Sequence, residues 1–489
     1  MNLAGTLPLH ARTRASHPAI VAGERVITYR ELDLQVGRTA SHLNALGLRS
    51  GDLLGVCLGD HADHVIVLLA AARLGVPVLP MDWHWAQAER QRIVDVFRPK
   101  AVMIEADAAA IAGVPQHRRG AGWHDAVAAA VPQVDGADAA DMPLVLALSS
   151  GTTALPKGPM ISHANMLARF RGHWVSLGFN QHDRFALTTP LYYGGGRGFV
   201  LSYLFIGGTI VMFPPPFKPV DLVETVERRS INRLFLVPTQ IRRLLAMARG
   251  NGLLFPRVDD LISSGAILSP EERKAVRNRL TPNFTDYYSS TEGGGITVQP
   301  AADQDRHPRS VGRPSFLTEV EIVDEEHRRQ LAGIVGRIRY RGPGVAVGFY
   351  GDPEPGSTAG AFFRDGWFYP GDIGEMNEEG FLFLRGRAKD MIIRGGANIY
   401  PSDVELVLQA HPAVEEAAVV GWPSTEYGEE VAAFVIVHGT IGGPELIAHC
   451  RERLARHKVP RDVFLVDDLP RNSTGKVLKG ALAERLQPL

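Results

Sequence analysis

The segment that most restricts how this chain can fold is Leu144-Val145-Leu146-Ala147-Leu148, apolar at every position and broken off at once by Ser149-Ser150-Gly151-Thr152-Thr153-Ala154-Leu155-Pro156-Lys157-Gly158. A short unbroken apolar run that stops at turn-forming residues reads as a buried strand. The loop leaving its end carries hydroxyls, glycines and a lysine. In such a loop, backbone N–H groups and hydroxyls can donate to phosphate oxygens while the lysine adds positive charge. It is not a Walker A loop, because Pro156 precedes Lys157 where a glycine is needed and Gly158 follows where Ser or Thr is needed. Taken alone, a Gly, Ser and Thr cluster is an ordinary surface turn, so its meaning rests on what surrounds it.

Around this strand the chain alternates extended and helical patterns. Thr28-Tyr29-Arg30-Glu31 has the form of a capping box, and Leu32, Val36 and Leu43 follow at helical spacing. Residues 53–58 and 76–79 read as strands on either side of a helix over 64–74. Beyond the loop, helices over 162–177, 239–248 and 270–279 are interspersed with extended stretches at 185–188, 209–212, 233–237, 261–263 and 284–288. This rhythm predicts βαβ units over a parallel sheet. The Ala-, Gly- and Asp-rich stretch 107–141 is expected to be a connector.

From residue 319 the pattern becomes that of half-buried antiparallel strands, at 319–323 and 336–341 around the turn-like Asp324-Glu325-Glu326, then at 382–384. The C-terminal stretch reads as its own α+β unit, with helices over 402–409 and 446–457 and strands at 414–420, 431–437 and 464–466. The expected fold is therefore α/β. A large N-terminal domain (1–387) combines doubly wound α/β subdomains with a β-rich one, and a small mobile α+β domain (388–489) follows.

A chain of 489 residues is long enough for more than one core, and 45% hydrophobic with 21% charged residues suits a soluble globular protein. The net charge of −1 argues against a basic surface for nucleic acid, so any phosphate binding must be local. The two cysteines, Cys57 and Cys450, form no CxxC pattern, which disfavours a disulfide scaffold or zinc site and fits a cytoplasmic protein. Neither a secretory signal nor a membrane-spanning run is expected, and so no membrane partner.

Further motifs stand downstream of the loop: Tyr288-Ser289-Ser290-Thr291-Glu292, Tyr369-Pro370-Gly371-Asp372, Gly386-Arg387-Ala388-Lys389-Asp390 and Asn472-Ser473-Thr474-Gly475-Lys476. Their order and spacing resemble those of the acyl-adenylate-forming enzymes: acyl- and aryl-CoA ligases, peptide-synthetase adenylation domains and firefly-type luciferases. The resemblance runs from about Thr28 to Lys479. It implies that Ser149, Ser150, Gly151, Thr152, Thr153 and Lys157 cradle the phosphates of ATP, with Thr152 close to the reaction. Glu292 would anchor Mg2+, Ser289, Ser290 and Thr291 would flank the nucleotide, and Lys476 would bridge substrate carboxylate and α-phosphate. A compact charge on a long flexible stem suits that task. Asp372 and Arg387 are expected at the ribose, Gly265 and Ala266 along adenine, and Tyr288 stacked on its other face. Lys389 matches the hinge, where Asp is the other common residue. Gly395, Gly396 and Tyr427 would face incoming coenzyme A.

Departures from the family pattern are Ala154 and Ser289 in place of frequent glycines, which require a backbone that avoids positive φ, and Pro159 where valine is commoner. The acid pocket is expected beside Tyr192, Tyr193, Gly194, Val237, Ser264, Gly293 and Ile296. Tyr193 occupies a position where many relatives have His. No Asp stands in the region where amino-acid-activating members carry one. Tyrosines beside glycines suit a flat ring, so the expected substrate is an aryl or short acyl carboxylic acid. Arg197 could meet a second carboxylate or a polar ring substituent, although a structural ion pair is the plainer expectation. The implied activity is acid–CoA ligation through acyl-AMP. The alternative is a stand-alone adenylating enzyme that loads a carrier-protein phosphopantetheine in trans, no carrier domain following Leu489. The sequence leaves oligomeric state open, a homodimer included.

Overall fold

The structure is a computed structural model that describes residues 1–138, 140–148, 158–213, 215–248, 250, 252–351, 363–471, 477–487 and 489. Among these residues the chain forms two sheets with parallel centres, a β-rich sheet and a C-terminal sheet. The larger parallel-centred sheet has nine strands in the order Arg313–Pro314, Gly294–Gln299, Phe284–Ser290, Asp260–Ser263, Arg233–Leu236, Arg184–Leu187, Thr209–Met212, Pro18–Ala22 and Arg25–Thr28. Its central strands pair in parallel, and antiparallel pairs close both edges. The second sheet runs Gln116–Arg119, Ala101–Glu105, Leu54–Cys57, Val78–Pro80, Pro143–Leu146 and Met160–Ser162, parallel except for the last pair. The apolar run of the sequence is thus a strand lying between two others.

One core fills the space between these sheets. It joins Ile20, Phe185 and Ile210 of one to Leu54, Val56 and Val145 of the other through the helices between them. That position explains the helix Ala62–Leu74, which is apolar nearly all round and buried at almost every residue. The helix Tyr29–Ala45 starts at the expected capping box. Glu31 N donates to Thr28 Oγ1 at 3.3 Å and Thr28 N to the Glu31 carboxylate at 2.8 Å.

Two expectations need correction, and one helix stands where none was expected. The stretch 107–141 is more than a connector, for it contains the strand Gln116–Arg119 and the helix Ala121–Ala129. Alanine gives that helix little periodicity. Its one buried anchor, Trp123, packs edge-on against the His42 ring at 4.8 Å. The helix Gln87–Phe97, held by Ile93, Val94 and Phe97, was not anticipated at all. The helix expected over 446–457 spans Gly443–Arg451, because its buried anchors are confined to Leu446 and Cys450; a 3-10 turn, Arg456–Lys458, follows separately.

The β-rich sheet pairs Glu319–Val323 with Gly336–Arg341 in the predicted region and continues through Asp372–Met376 to Leu382–Arg387. After the short turn Ala388–Asp390 comes the C-terminal sheet, built on the long hairpin of Val414–Ser424 and Gly428–Val437. The helix Pro401–Gln409 packs on it through Val404 and Leu408. The fold is thus a large α/β domain with a β-rich part and a small α+β domain, the class expected.

A buried node steadies the strand Phe284–Ser290. Arg273 reaches Asp286 at 2.6 Å and donates to Gln299 Oε1 and Ser310 O, each at 2.7 Å, with its side chain 2% exposed. Arg273→Met would leave Asp286 as an uncompensated buried charge, and a loss of about 3–5 kcal/mol is expected. Adding Asp286→Leu should restore part of it, as read by chemical denaturation of the single and double variants.

His64 and His173 are buried, and burial pushes both down to about 3. Between pH 6.5 and about 3 the unfolded chain binds protons that the folded chain refuses, so each histidine lowers stability as pH falls through that window. The expected loss is about 2 kcal/mol per histidine between pH 7 and 5. The drop in denaturation free energy over that range should be smaller by about this amount in His173→Gln.

Candidate active site

A cleft of about 1330 Å3 opens where the parallel strands end, with walls from both parallel-centred sheets, the β-rich sheet and the C-terminal unit. Ligand sites of doubly wound sheets sit beyond the carboxyl ends of the strands. Here Arg233–Leu236 runs out into Val237, Asp260–Ser263 into Ser264-Gly265-Ala266, and Phe284–Ser290 into Thr291-Glu292, and all of these line the cleft. Gly265 has φ +102°, a conformation that disfavours any side chain, and it leaves backbone bare on the cleft wall.

Small hydroxyls and one clasp organise the nucleotide side. Ser264 Oγ and Ser289 Oγ share a hydrogen bond of 2.9 Å, joining two strand ends. Ser290 Oγ accepts from Gly293 N at 2.8 Å and bonds the Tyr340 hydroxyl, closing the turn that follows. Tyr288 OH donates to one oxygen of Asp372, and Arg387 Nε meets the other at 2.8 Å. Burial, then the Asp372 charge, keep the Tyr288 phenol protonated by raising it well above its ordinary value. Asp372, Arg387 and Tyr288 therefore stand together, with Asp372 already receiving two donors. Ser289 does not have positive φ, as its replacement of a glycine requires.

Glu292 lines the cleft, and its turn is held from behind. Arg169, on the helix His163–Ser176, donates to Glu292 O at 2.7 Å, Thr291 O at 3.3 Å and Gly344 O at 2.8 Å. Glycine is required opposite it, since a Cβ on Gly294 would come within 2.8 Å of Arg169 Cδ. Among the described residues no group of three or more His, Cys, Asp or Glu could cage a metal. A single carboxylate on a cleft wall does fit Mg2+, which commonly takes one or two protein carboxylates and completes its shell with phosphate and water.

On the acid side the cleft wall includes Tyr192, Tyr193, Gly194, Arg197, Phe199 and Phe235. Tyr193 precedes the helix Gly194–Ile206, and its hydroxyl lies near Gly265. Two of the expected pocket residues are not on this wall. Ile296 is fully buried in the β-rich core with Val311 and Ile322. Gly293 instead backs onto Tyr340, whose ring would lie 2.3 Å from a Cβ there. Nor does Arg197 make the expected ion pair with any described residue. It is 2% exposed, and its Nη1 donates to the backbone carbonyls of Leu191 at 3.0 Å and Tyr192 at 2.9 Å. Burial, with a contribution from nearby Arg169, lowers it to about 9, so it stays cationic at neutral pH.

The C-terminal unit supplies the remaining wall. Lys389 lines the cleft from the turn Ala388–Asp390. Arg471 and Val477, bridged to each other on either side of 472–476, line it too. Ser402 Oγ donates to Arg385 O at 2.5 Å, while Arg385 reaches Glu375 at 2.6 Å and Asp403 at 3.3 Å. By contrast, Gly395, Gly396 and Tyr427 are not part of the cleft wall. The glycines turn with φ +55° and +83°, Gly395 N donates to Tyr427 O at 2.8 Å, and the Tyr427 ring lies 4.6 Å beneath Arg394. The expected Ser149, Ser150, Gly151, Thr152, Thr153, Lys157 and Lys476 lie outside the described residues, as does Ala154.

Arg169, His173 and Arg385 went unnoticed in the sequence. The signal for the first two was present: Met166, Arg169, Phe170 and His173 recur at helical spacing, so an arginine and a histidine share the apolar stripe of a helix. Arg385 carried no such signal, because its partners are far away in the sequence.

The sequence model of the AMP-binding enzyme family matches residues 7–350, and that of the AMP-binding enzyme C-terminal domain matches residues 403–476. Along its length the chain is similar to a feruloyl-CoA synthase of an Amycolatopsis species, 31% identical with 98% of each chain covered. It is also similar to an indoleacetate–CoA ligase of Aromatoleum aromaticum, 30% identical with 98% of this chain and 97% of the relative covered. Among solved structures, ATP-bound MatB from Rhodopseudomonas palustris matches with a TM-score of 0.90 at 30% identity over 99% of each chain. The strand-end loops, the Tyr288–Asp372–Arg387 clasp and these full-length similarities agree: the chain belongs to the AMP-binding enzymes, the acyl-adenylate-forming superfamily.

Proposed function

We propose that this protein is an AMP-forming acid–thiol ligase that joins an aryl or short acyl carboxylic acid to coenzyme A through an acyl-adenylate. The observation that carries the reading is convergence. Glu292, Asp372, Arg387 and the bare backbone at Gly265 share one cleft with Tyr193 on the acid side and with Arg471 and Val477, which flank residues 472–476 in the sequence. Adenine would lie along Gly265 and Ala266, ribose at Asp372 and Arg387, and the phosphates toward Ser290, Thr291 and the Ser149–Lys157 loop.

In the first step a carboxylate oxygen attacks the α-phosphorus and pyrophosphate leaves. Lys476 lowers the barrier by neutralising the negative charge shared by carboxylate and α-phosphate. Mg2+, held by Glu292 when bound, would draw charge from the leaving pyrophosphate. In the second step the thiol sulfur attacks the acyl carbon, the acyl–oxygen bond breaks, and AMP departs with that oxygen while the thiol proton goes to solvent. The division at Arg387 and Ala388 lets residues 388–489 turn about Lys389 between the steps, bringing Gly395, Gly396 and Tyr427 to face the thiol. Both cysteines are free and buried, which suits a reducing cytoplasm, and among the described residues no helix is long and apolar enough to cross a membrane.

Incubation with ATP, Mg2+ and a panel of aryl and short acyl acids should release AMP in a CoA-dependent manner. Stable adenylate with AMP release indifferent to CoA would instead point to a carrier-protein acceptor. Lys476→Ala should abolish adenylate formation while leaving thioester formation from supplied acyl-adenylate largely intact. Equal loss of both half-reactions would contradict its role in the first step.

A further inference from the structure

On the acid side of the cleft stands a cation, Arg197, with no counter-ion among the described residues. Arg197 is 2% exposed and lines the cleft, yet among the described residues its hydrogen bonds run from Nη1 to the carbonyls of Leu191 and Tyr192, and its buried Nε finds no partner there. Among the described residues no carboxylate pairs with it. Asp60 accepts from Leu191 N at 2.6 Å and Asp82 from His84 N at 2.9 Å. A buried charge lacking an opposite charge is costly and normally paired.

A second, independent feature points the same way. Arg197 stands in the first turn of the helix Gly194–Ile206, whose capping residue Tyr193 makes no side-chain cap. Gly194 lines the cleft with open space beside it, and a Cβ on Gly195 would meet Phe235 at 2.7 Å, so side chains are kept off this turn. Uncapped N–H groups and the positive end of the helix dipole reinforce the guanidinium.

Two arginines, Arg169 and Arg197, line the cleft. Arg169 is engaged with the carbonyls behind the Glu292 turn. Arg197 lines the same cleft as Phe199 and Phe235.

We propose that Arg197 and the uncapped start of the helix Gly194–Ile206 bind a second carboxylate at the far end of the substrate, making dicarboxylic acids the preferred class. This rests on the ligase reading for turnover but not for binding. A carboxylate can take both guanidinium hydrogens and a helix N–H, whereas the carboxamide of the same shape leaves the cation unpaired.

The test compares isosteric pairs, terephthalate with 4-carbamoylbenzoate and glutarate with glutaramate, by rates of AMP formation and by calorimetric binding of each acid. The wild-type protein should favour the diacid of at least one pair by roughly 10- to 100-fold in kcat/KM, mainly through KM, and by a similar factor in Kd. That ratio should collapse toward one in Arg197→Met and remain partial in Arg197→Lys, with thermal melts showing that both variants fold. Ratios near one for both pairs in the wild type, or a preference that Arg197→Met leaves intact, would overturn the proposal, as would failure of both diacids to bind. Tight diacid binding without AMP formation would sink the ligase reading while leaving the anion site standing.

Discussion

The side chain on which this site depends is Arg169. From a helix between the two parallel-centred sheets its guanidinium reaches Thr291 O and Glu292 O beyond the end of one sheet and Gly344 O at the edge of the β-rich part. The planar five-donor fork makes this possible; a lysine would offer one charge but could not meet three carbonyls held in a fixed arrangement. By holding carbonyls, Arg169 fixes the backbone of the turn whose Glu292 lines the cleft. Gly294 lies directly against it, so a side chain at that position would collide with the Arg169 stem.

That arrangement sets the electrostatics of the cleft. On the nucleotide side, charges are paired within the protein: Asp372 with Arg387 and Tyr288, Arg385 with Glu375 and Asp403. On the acid side, the hydrogen bonds of Arg169 and Arg197 among the described residues go to backbone carbonyls. The cleft therefore presents a balanced surface to a sugar and a positive one to an acid. The asymmetry survives burial because carbonyl dipoles partly solvate the guanidinium groups.

The junction between the parts is polar and narrow. Arg385 belongs to the last strand of the β-rich sheet and meets both Glu375 beside it and Asp403 on the helix across the junction, and Asp403 is shared with Lys458 at 2.7 Å. Such ion pairs can be exchanged for water at modest cost, unlike the apolar core shared by the two parallel-centred sheets. A contact of this kind holds one arrangement while allowing another, as the proposed swing about Lys389 needs.

Much of this was legible in the sequence because it depends on neighbours along the chain. Strands near 209–212, 270–279 as a helix and the Thr28–Glu31 capping box follow from local periodicity and hydrogen bonding, and the family follows from spaced motifs. The Ala-rich helix Ala121–Ala129 did not show, since alanine favours helix without marking a face and only Trp123 docks. Strand alternation likewise does not say which neighbour covers a side chain, so Ile296 read as pocket and proved to be core. Arg197 is the sharpest case. The sequence supplied a cation near glycines, but only the tertiary structure decided that carbonyls, and no carboxylate among the described residues, would surround it. Charge and helical position are properties of the residue and its neighbours, whereas the presence or absence of a partner depends on segments brought together by folding.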